Sequence, residues 1–346
     1  MCCPQEFYGW PASAKIAFML NHDFQELIKV STGAKDIFHI EDIQSLWSGY
    51  GKIMRYGLSE ANVNSVVVKH VKLPEQAHHP RGWNSNLSHQ RKVKSYQVES
   101  EWYRNYGSAC NDNCRIPRCL ALESDDDEFL MVLEDLDASG YPRRIETVSM
   151  QQLYLCLNWL ANFHASFMQQ VPNGLWATGT YWHLDTRPDE LDILSDKELK
   201  AVAKKIDMRL RDARFQTIVH GDAKLANFCF SEDGQQVAAV DFQYVGGGCG
   251  MKDVAYFIGS CLYEVDCEQY EVELLNYYFT QLRGAMQLRN STVNLNDLEQ
   301  EWRELYPIAW TDFHRFLKGW SPGHWKINSY SERLSKQVVN ALKESE

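Results

Sequence analysis

The sequence predicts an α+β fold in two lobes, a small antiparallel sheet followed by a larger, mainly helical part. Three observations carry this expectation. The first third is rich in β-branched and aromatic residues punctuated by glycine and asparagine, as in "IEDIQSLWSGYGKIMRYGL" and "NSVVVKHVKL". From Ser149 onward, apolar residues recur at helical spacing. At 346 residues the chain can bury two cores. The lobes are expected to meet near Leu136 to Tyr141, dividing the chain into residues 1–136 and 137–346.

Within the first lobe, Gly49, Gly51, Gly57 and the Asn62/Asn64 pair supply turns. The polar stretch 75–95 reads as an exposed loop leading into the helix "KVKSYQVESEWYRNYG", closed by Gly107 in the position where a left-handed residue is wanted. After the acidic turn "ESDDDE", the continuous apolar run "FLMVLEDL" reads as a buried strand. In the second lobe, Met150, Leu153, Leu157, Leu160, His164 and Phe167 form one stripe of a long helix capped by Ser149. Further helices are expected at about 189–212, 252–287 and 296–318, and no internal repeat is evident.

Composition bounds the function. Apolar residues make up 45% and charged residues 23%, as in ordinary globular proteins. A net charge of -11 argues against a nucleic-acid partner, which calls for a basic face. The longest apolar stretches fall short of the roughly 20 residues that span a bilayer. The N-terminus "MCCPQEFYGWPASAKIAFML" lacks a basic start followed by a clean apolar core, so no cleaved signal is expected and a cytoplasmic location is. The ten cysteines are scattered among apolar neighbours, as reduced thiols would be. The irregular run Cys110, Cys114, Cys119, with no Cys/His pair nearby, predicts no zinc site.

The chemistry concentrates in "TIVHGDAKLANFCF", residues 217–230, a polar cluster held between two strand-like ends. Asn227 follows Asp222 by five residues, and Asp241 follows the apolar strand "VAAV". Strands joined by "SEDGQQ" bring Asp222, Asn227 and Asp241 to one end of a hairpin. Phosphoryl transfer uses such a set: one carboxylate to orient the hydroxyl, an amide oxygen and a second carboxylate as hard ligands for magnesium on nucleotide phosphates. Lys69, inside the β-run "SVVVKHV", needs an anionic partner, which Glu99 could supply. In "SGYGKI", Gly49 and Gly51 could form a turn whose amides cover phosphates.

"HGDAKLAN" followed by "VDFQ" resembles the catalytic and metal motifs of the kinase-like small-molecule phosphotransferases: aminoglycoside phosphotransferases, choline kinases and the ecdysteroid-kinase-like group. "WLANFHASF" is similar to the helix that precedes their catalytic loop, and the likeness runs from about residue 45 to 260. It implies a bilobal protein-kinase-like fold and an enzyme that uses ATP and magnesium to phosphorylate a small-molecule hydroxyl. Carried over by position, Asp222 is the catalytic base, Asn227 and Asp241 hold magnesium, Lys69 meets the phosphates, and Glu99 is its partner, with Glu101 as the competing choice. Leu133 to Leu136 is the hinge, so Glu134 and Leu136 would meet adenine through their backbone. Lys224 would neutralise charge on the transferred group.

Gly221 stands where protein kinases place arginine, which disfavours a protein kinase. A catalytically silent kinase-like binding or scaffold protein is the other alternative. Asp253 is expected to cap a helix or brace the loop, and His164 to be a satisfied core histidine. The aromatic stretches "YWHLDTRPDE" and "WSPGHW" lie where a substrate wall could stand, and with the acidic chain they favour a cationic or neutral alcohol. Acceptor identity, ATP against GTP, and oligomeric state stay open.

Overall fold

The computed structural model describes residues 22–46, 49–73, 85–124 and 128–344. Strands β1 (Asp36–Ser45), β2 (Gly51–Ser59), β3 (Ser65–Lys72), β4 (Cys119–Ser124) and β5 (Glu128–Glu134) form a five-stranded sheet in the order β1-β2-β3-β5-β4. All neighbours are antiparallel. Side chains alternate across a strand, and on β3 this sorts two cores. Val66 and Val68 pack with Met54, Leu130, Val132 and Ile28 of α1 (His22–Thr32). Val71 packs with Phe129 and with Tyr96 of α2 (Ser85–Asn105). Lys69 has the parity of Val71, so it is delivered toward α2.

Helix α2 begins seven residues before the expected "KVKSYQ" start, so residues 85–95 are helix and not loop. The remainder of that expected loop, the N-terminal stretch and the middle of the acidic turn lie outside the described residues. Gly107 does not close α2 in a left-handed conformation. It opens a short 3-10 turn, Gly107–Ala109, where a Cβ would lie 3.3 Å from Ile116 Cδ1, a tight contact that a small shift of Ile116 would relieve.

In the helical part, α3 (Met150–Ser166) starts at a capping box between Ser149 and Gln152. The helix expected at 189–212 is two, α4 (Pro188–Asp192) and α5 (Lys197–Arg211), because Asp196 turns its side chain onto the Leu199 N–H at 3.0 Å and starts a new helix. The helix expected at 252–287 likewise divides into α6 (Met251–Cys261) and α7 (Glu264–Leu288), with Leu262 and Tyr263 extended between them. Acidic Glu264 and Asp266 in the first turn favour a new N-terminus there. Helix α8 (Leu295–Trp320) matches the expectation, and α9 (Ser329–Glu344), α1 and β4 add elements the sequence reading did not assign.

Two small sheets position the polar loop. β7 (Phe228–Phe230) and β8 (Val237–Ala239) form the hairpin expected around "SEDGQQ". β6 (Thr217–Val219) pairs with β9 (Gly246–Gly248), a strand made of glycines. A Cβ at Gly246 would lie 2.2 Å from the Trp176 carbonyl oxygen, so the backbones meet closer than any side chain permits. Gly246→Ala should therefore destabilise the fold by about 1–3 kcal/mol in denaturant unfolding. Gly284→Ala, in open space on α7, should stabilise by up to about 1 kcal/mol. Equal unfolding midpoints for the two variants would contradict this packing.

Candidate active site

The loop after β6 is fixed by its backbone before any side chain is considered. Gly221 has φ 79°, and a Cβ there would fall 2.1 Å from the Tyr244 carbonyl oxygen. Position 221 is thus reserved for glycine by close approach. Asp253 on α6 accepts from the His220 N–H at 2.6 Å and the Gly221 N–H at 2.9 Å. His164 on α3 lies 3.1 Å from the same carboxylate and 2.8 Å from the Tyr278 hydroxyl, with no exposure. Asp253 therefore braces the loop and His164 is a satisfied core histidine. His220 is buried, its Nε2 3.0 Å from the Val240 carbonyl and its ring 4.7 Å from that of Phe242.

This bracing brings Asp222, Asn227, Asp241 and Lys224 together. The Asn227 amide donates to the Asp222 carbonyl at 2.8 Å and to its carboxylate at 3.2 Å, which turns the amide oxygen away from Asp222. Lys224 Nζ donates to Asp222 Oδ2 at 2.9 Å. Tyr256, on α6, donates from its hydroxyl to Asp222 Oδ1 at 3.1 Å. Burial, against the pull of Lys224 and with the nearby Asp241 charge adding to it, raises the Asp222 pKa from its ordinary value.

Asp241 follows β8 at φ 70°, a conformation a non-glycine residue rarely adopts. Its Oδ1 is enclosed and has no hydrogen-bond partner among the described residues. Burial opposes ionisation, yet Lys69, Lys224 and Lys92 hold its pKa below the ordinary value. An enclosed, ionised oxygen without a donor suits a hard divalent cation. Among the described residues no three His, Cys, Asp or Glu side chains cluster as a metal cage. Two protein oxygens completed by phosphates and water are the usual provision for magnesium.

On the sheet side, Lys69 Nζ lies 2.5 Å from Glu99 Oε2, with both residues buried. Lys69 is on β3, third in the sheet order, and not on an edge. Burial raises the Glu99 pKa while Lys69 opposes the shift. Glu101 is engaged elsewhere, accepting from Asn105 Nδ2 at 2.6 Å and abutting Gly174. Glu99 is therefore the partner. The Gly49 and Gly51 turn enters β2 opposite the same end of β3, with Gly51 paired to Val71 and Ile53 to Lys69. Both glycines have positive φ, and a Cβ on Gly51 would fall 2.0 Å from the His70 carbonyl oxygen.

Glu134 ends β5, its N–H donating to the Arg118 carbonyl at 2.8 Å and its carboxylate held by Arg115 at 2.5 Å. The Leu136 carbonyl accepts from the Tyr141 N–H at 2.8 Å. These groups are thus occupied by the protein. Arg55 ties the segment to β2 through Asp135 at 2.8 Å.

Sequence reasoning missed Lys92, Gln243 and Tyr256. Lys92 Nζ donates to Gln243 Oε1 at 3.0 Å and lies 5.0 Å from the Tyr96 ring centroid. Burial, with Lys69 close by, lowers its pKa to about 8. Tyr256 carried a faint signal, standing three residues after Asp253 on the same helix face. The stretches at 181–183 and 320–325 do converge: Tyr181, Trp182, Tyr256, Phe313, Phe316 and Trp320 form one cluster. It borders Asp222 through the Tyr256 hydroxyl.

The model of the ecdysteroid kinase-like family matches residues 65–173 and 180–291, which contain Lys69, Glu99 and the whole polar loop. The chain belongs to the ecdysteroid kinase-like family. No curated protein matches this family member in sequence. Among solved structures it is similar to a microcompartment-associated aminopropanol kinase, at 13% identity over 93% of this chain and 94% of that one, with a TM-score of 0.49. It is also similar to an aminoglycoside-3'-phosphotransferase of type VIII, at 16% identity over 85% and 99%, with a TM-score of 0.48. A third is an aminoglycoside phosphotransferase from Streptomyces rimosus, at 13% identity over 84% and 99%, with a TM-score of 0.41.

The Lys69 and Glu99 pair generates a double-mutant test. Lys69→Met and Glu99→Gln should each weaken AMP-PNP binding, and their combined loss should fall short of the sum by about 0.5–3 kcal/mol. Additive losses in calorimetric titrations would mean that Glu99 does not act through Lys69.

Proposed function

We propose that this family member is an ATP- and magnesium-dependent phosphotransferase that moves the γ-phosphate to a hydroxyl of a small molecule. The enclosed, donor-free Oδ1 of Asp241 beside the Asp222 and Asn227 pair carries the reading, because a binding module has no use for a buried ionised oxygen left without a partner. Asp222 accepts the acceptor's proton as its hydroxyl attacks. The raised pKa of Asp222 suits a base that must hold that proton transiently. Lys224 counters negative charge near the transferred group, and Lys69, held by Glu99, binds the nucleotide phosphates under the Gly49 and Gly51 turn. The Glu134 carbonyl and the Leu136 N–H are the proposed contacts to adenine. Magnesium, held by Asn227 and Asp241, would neutralise phosphate charge. The reading divides the chain into a nucleotide lobe, 1–136, and a catalytic lobe, 137–346. It assigns a cytoplasmic enzyme with no nucleic-acid partner, and no helix among the described residues is long and apolar enough to cross a membrane.

Close packing at Gly221 leaves no room for an arginine in this loop, which favours a small acceptor over a protein hydroxyl. A panel of small alcohols should stimulate ADP release, and Asp222→Asn should lower turnover by about 10²–10⁴-fold while AMP-PNP affinity is retained. Undiminished turnover in the variant would remove Asp222 as base. Labelling of a protein by ATP, with no alcohol stimulating ADP release, would favour the protein-kinase alternative.

A further inference from the structure

Lys326, in the turn between α8 and α9, places its ammonium on the aromatic cluster that borders Asp222. Its Nζ lies 5.0 Å from the ring centroid of Tyr256, 5.5 Å from Phe313 and 5.6 Å from Trp325. Tyr256 is the residue whose hydroxyl binds Asp222 Oδ1, so the ammonium stands one aromatic ring from the proposed base. Tyr256 and Phe313 are buried beneath this ammonium, so their ring faces are already taken by the protein's own cation and are closed to a cationic acceptor. The neighbouring carboxylates are engaged. Asp312 is held by Arg315 at 3.0 Å and by Trp182 Nε1 at 2.9 Å, and Glu190 by Arg187 at 3.2 Å.

We infer that Lys326 sets the charge of the acceptor, so that the pocket takes an alcohol bearing a carboxylate or sulfate and turns away cationic alcohols. Packing among the rings desolvates the ammonium and holds its pKa down to about 8, with Asp222 and Cys261 opposing the shift and Lys224 adding to it. A cationic acceptor would meet that ammonium with only Asp222, already held by Lys224, to offset it. An anionic one would restore the counter-charge that burial removes. An anionic preference departs from the expectation of a cationic or neutral alcohol drawn from overall acidity and the aromatic stretches, because net charge does not describe one site. This inference rests on the phosphotransferase reading for the pocket's purpose.

The test is binding, which needs no turnover. Three para-substituted benzyl alcohols of similar shape, bearing a carboxylate, hydrogen or a trimethylammoniomethyl group, are titrated into the protein with AMP-PNP and magnesium and followed by tryptophan fluorescence. The wild type should bind the carboxylate at least about tenfold tighter than the cation, a difference of about 1.4 kcal/mol. Lys326→Met should erase that preference, and Lys326→Arg should keep it. Equal affinity for cation and anion in the wild type, an unchanged preference in Lys326→Met, or no binding of any of the three would overturn the assignment. If the charge preference holds while no alcohol stimulates ADP release, the phosphotransferase reading fails and the pocket assignment stands.

Discussion

Two opposite charges, Lys69 and Glu99, lie 2.5 Å apart in the seam between β3 and α2, almost wholly removed from water. Removing such ions from water costs several kcal/mol each, and apolar residues of similar size would stabilise the seam at least as well. The pair is therefore poor evidence for stability and good evidence for use. Lys69 also favours the ionised form of Asp241, so a cation on the sheet bears on a carboxylate that follows β8. Trp102 on α2 stacks at 4.8 Å on Phe242, the residue after Asp241, which packs α2 against the segment that carries Asp241.

The polar loop obeys a second constraint, that its backbone must be satisfied inside the protein. One buried carboxylate, Asp253, takes two consecutive N–H groups and is itself oriented by His164. Glycines at 221 and 246 let neighbouring backbone segments approach within the space a side chain would fill. Once the backbone is set, Asn227 and Lys224 have little choice but to converge on Asp222.

Much of this was legible because short periods carry it. Alternation in "SVVVKHV" separates Lys69 from Val66 and Val68, and the interval from Asp222 to Asn227 to Asp241 requires only a hairpin between them. What escaped depended on long-range packing. Nothing local distinguishes Lys92, which faces the site, from Lys94, which does not share its contact with Gln243. Tyr256 and Lys326 lie far apart in sequence and meet only because α6 and α8 pack together. A strand built from glycine has no propensity signal, since it exists to let Trp176 and Val219 come close. The breaks at Ile193 to Asp196 and at Leu262 to Tyr263 were missed because they rest on local signals at the new starts, a side-chain cap from Asp196 in the first and the acidic Glu264 and Asp266 in the second.

The proposed phosphotransfer turns on Asp241 acting as a ligand for a cation brought with the nucleotide. Calorimetric titration of AMP-PNP into the wild type and Asp241→Asn, each with and without magnesium, measures this without requiring an acceptor. Magnesium should strengthen binding by at least about tenfold in the wild type, or about 1.4 kcal/mol, and should have little effect in the variant, whose affinity for metal-free nucleotide is not weakened. Equal enhancement in both proteins, or none in the wild type, would contradict it.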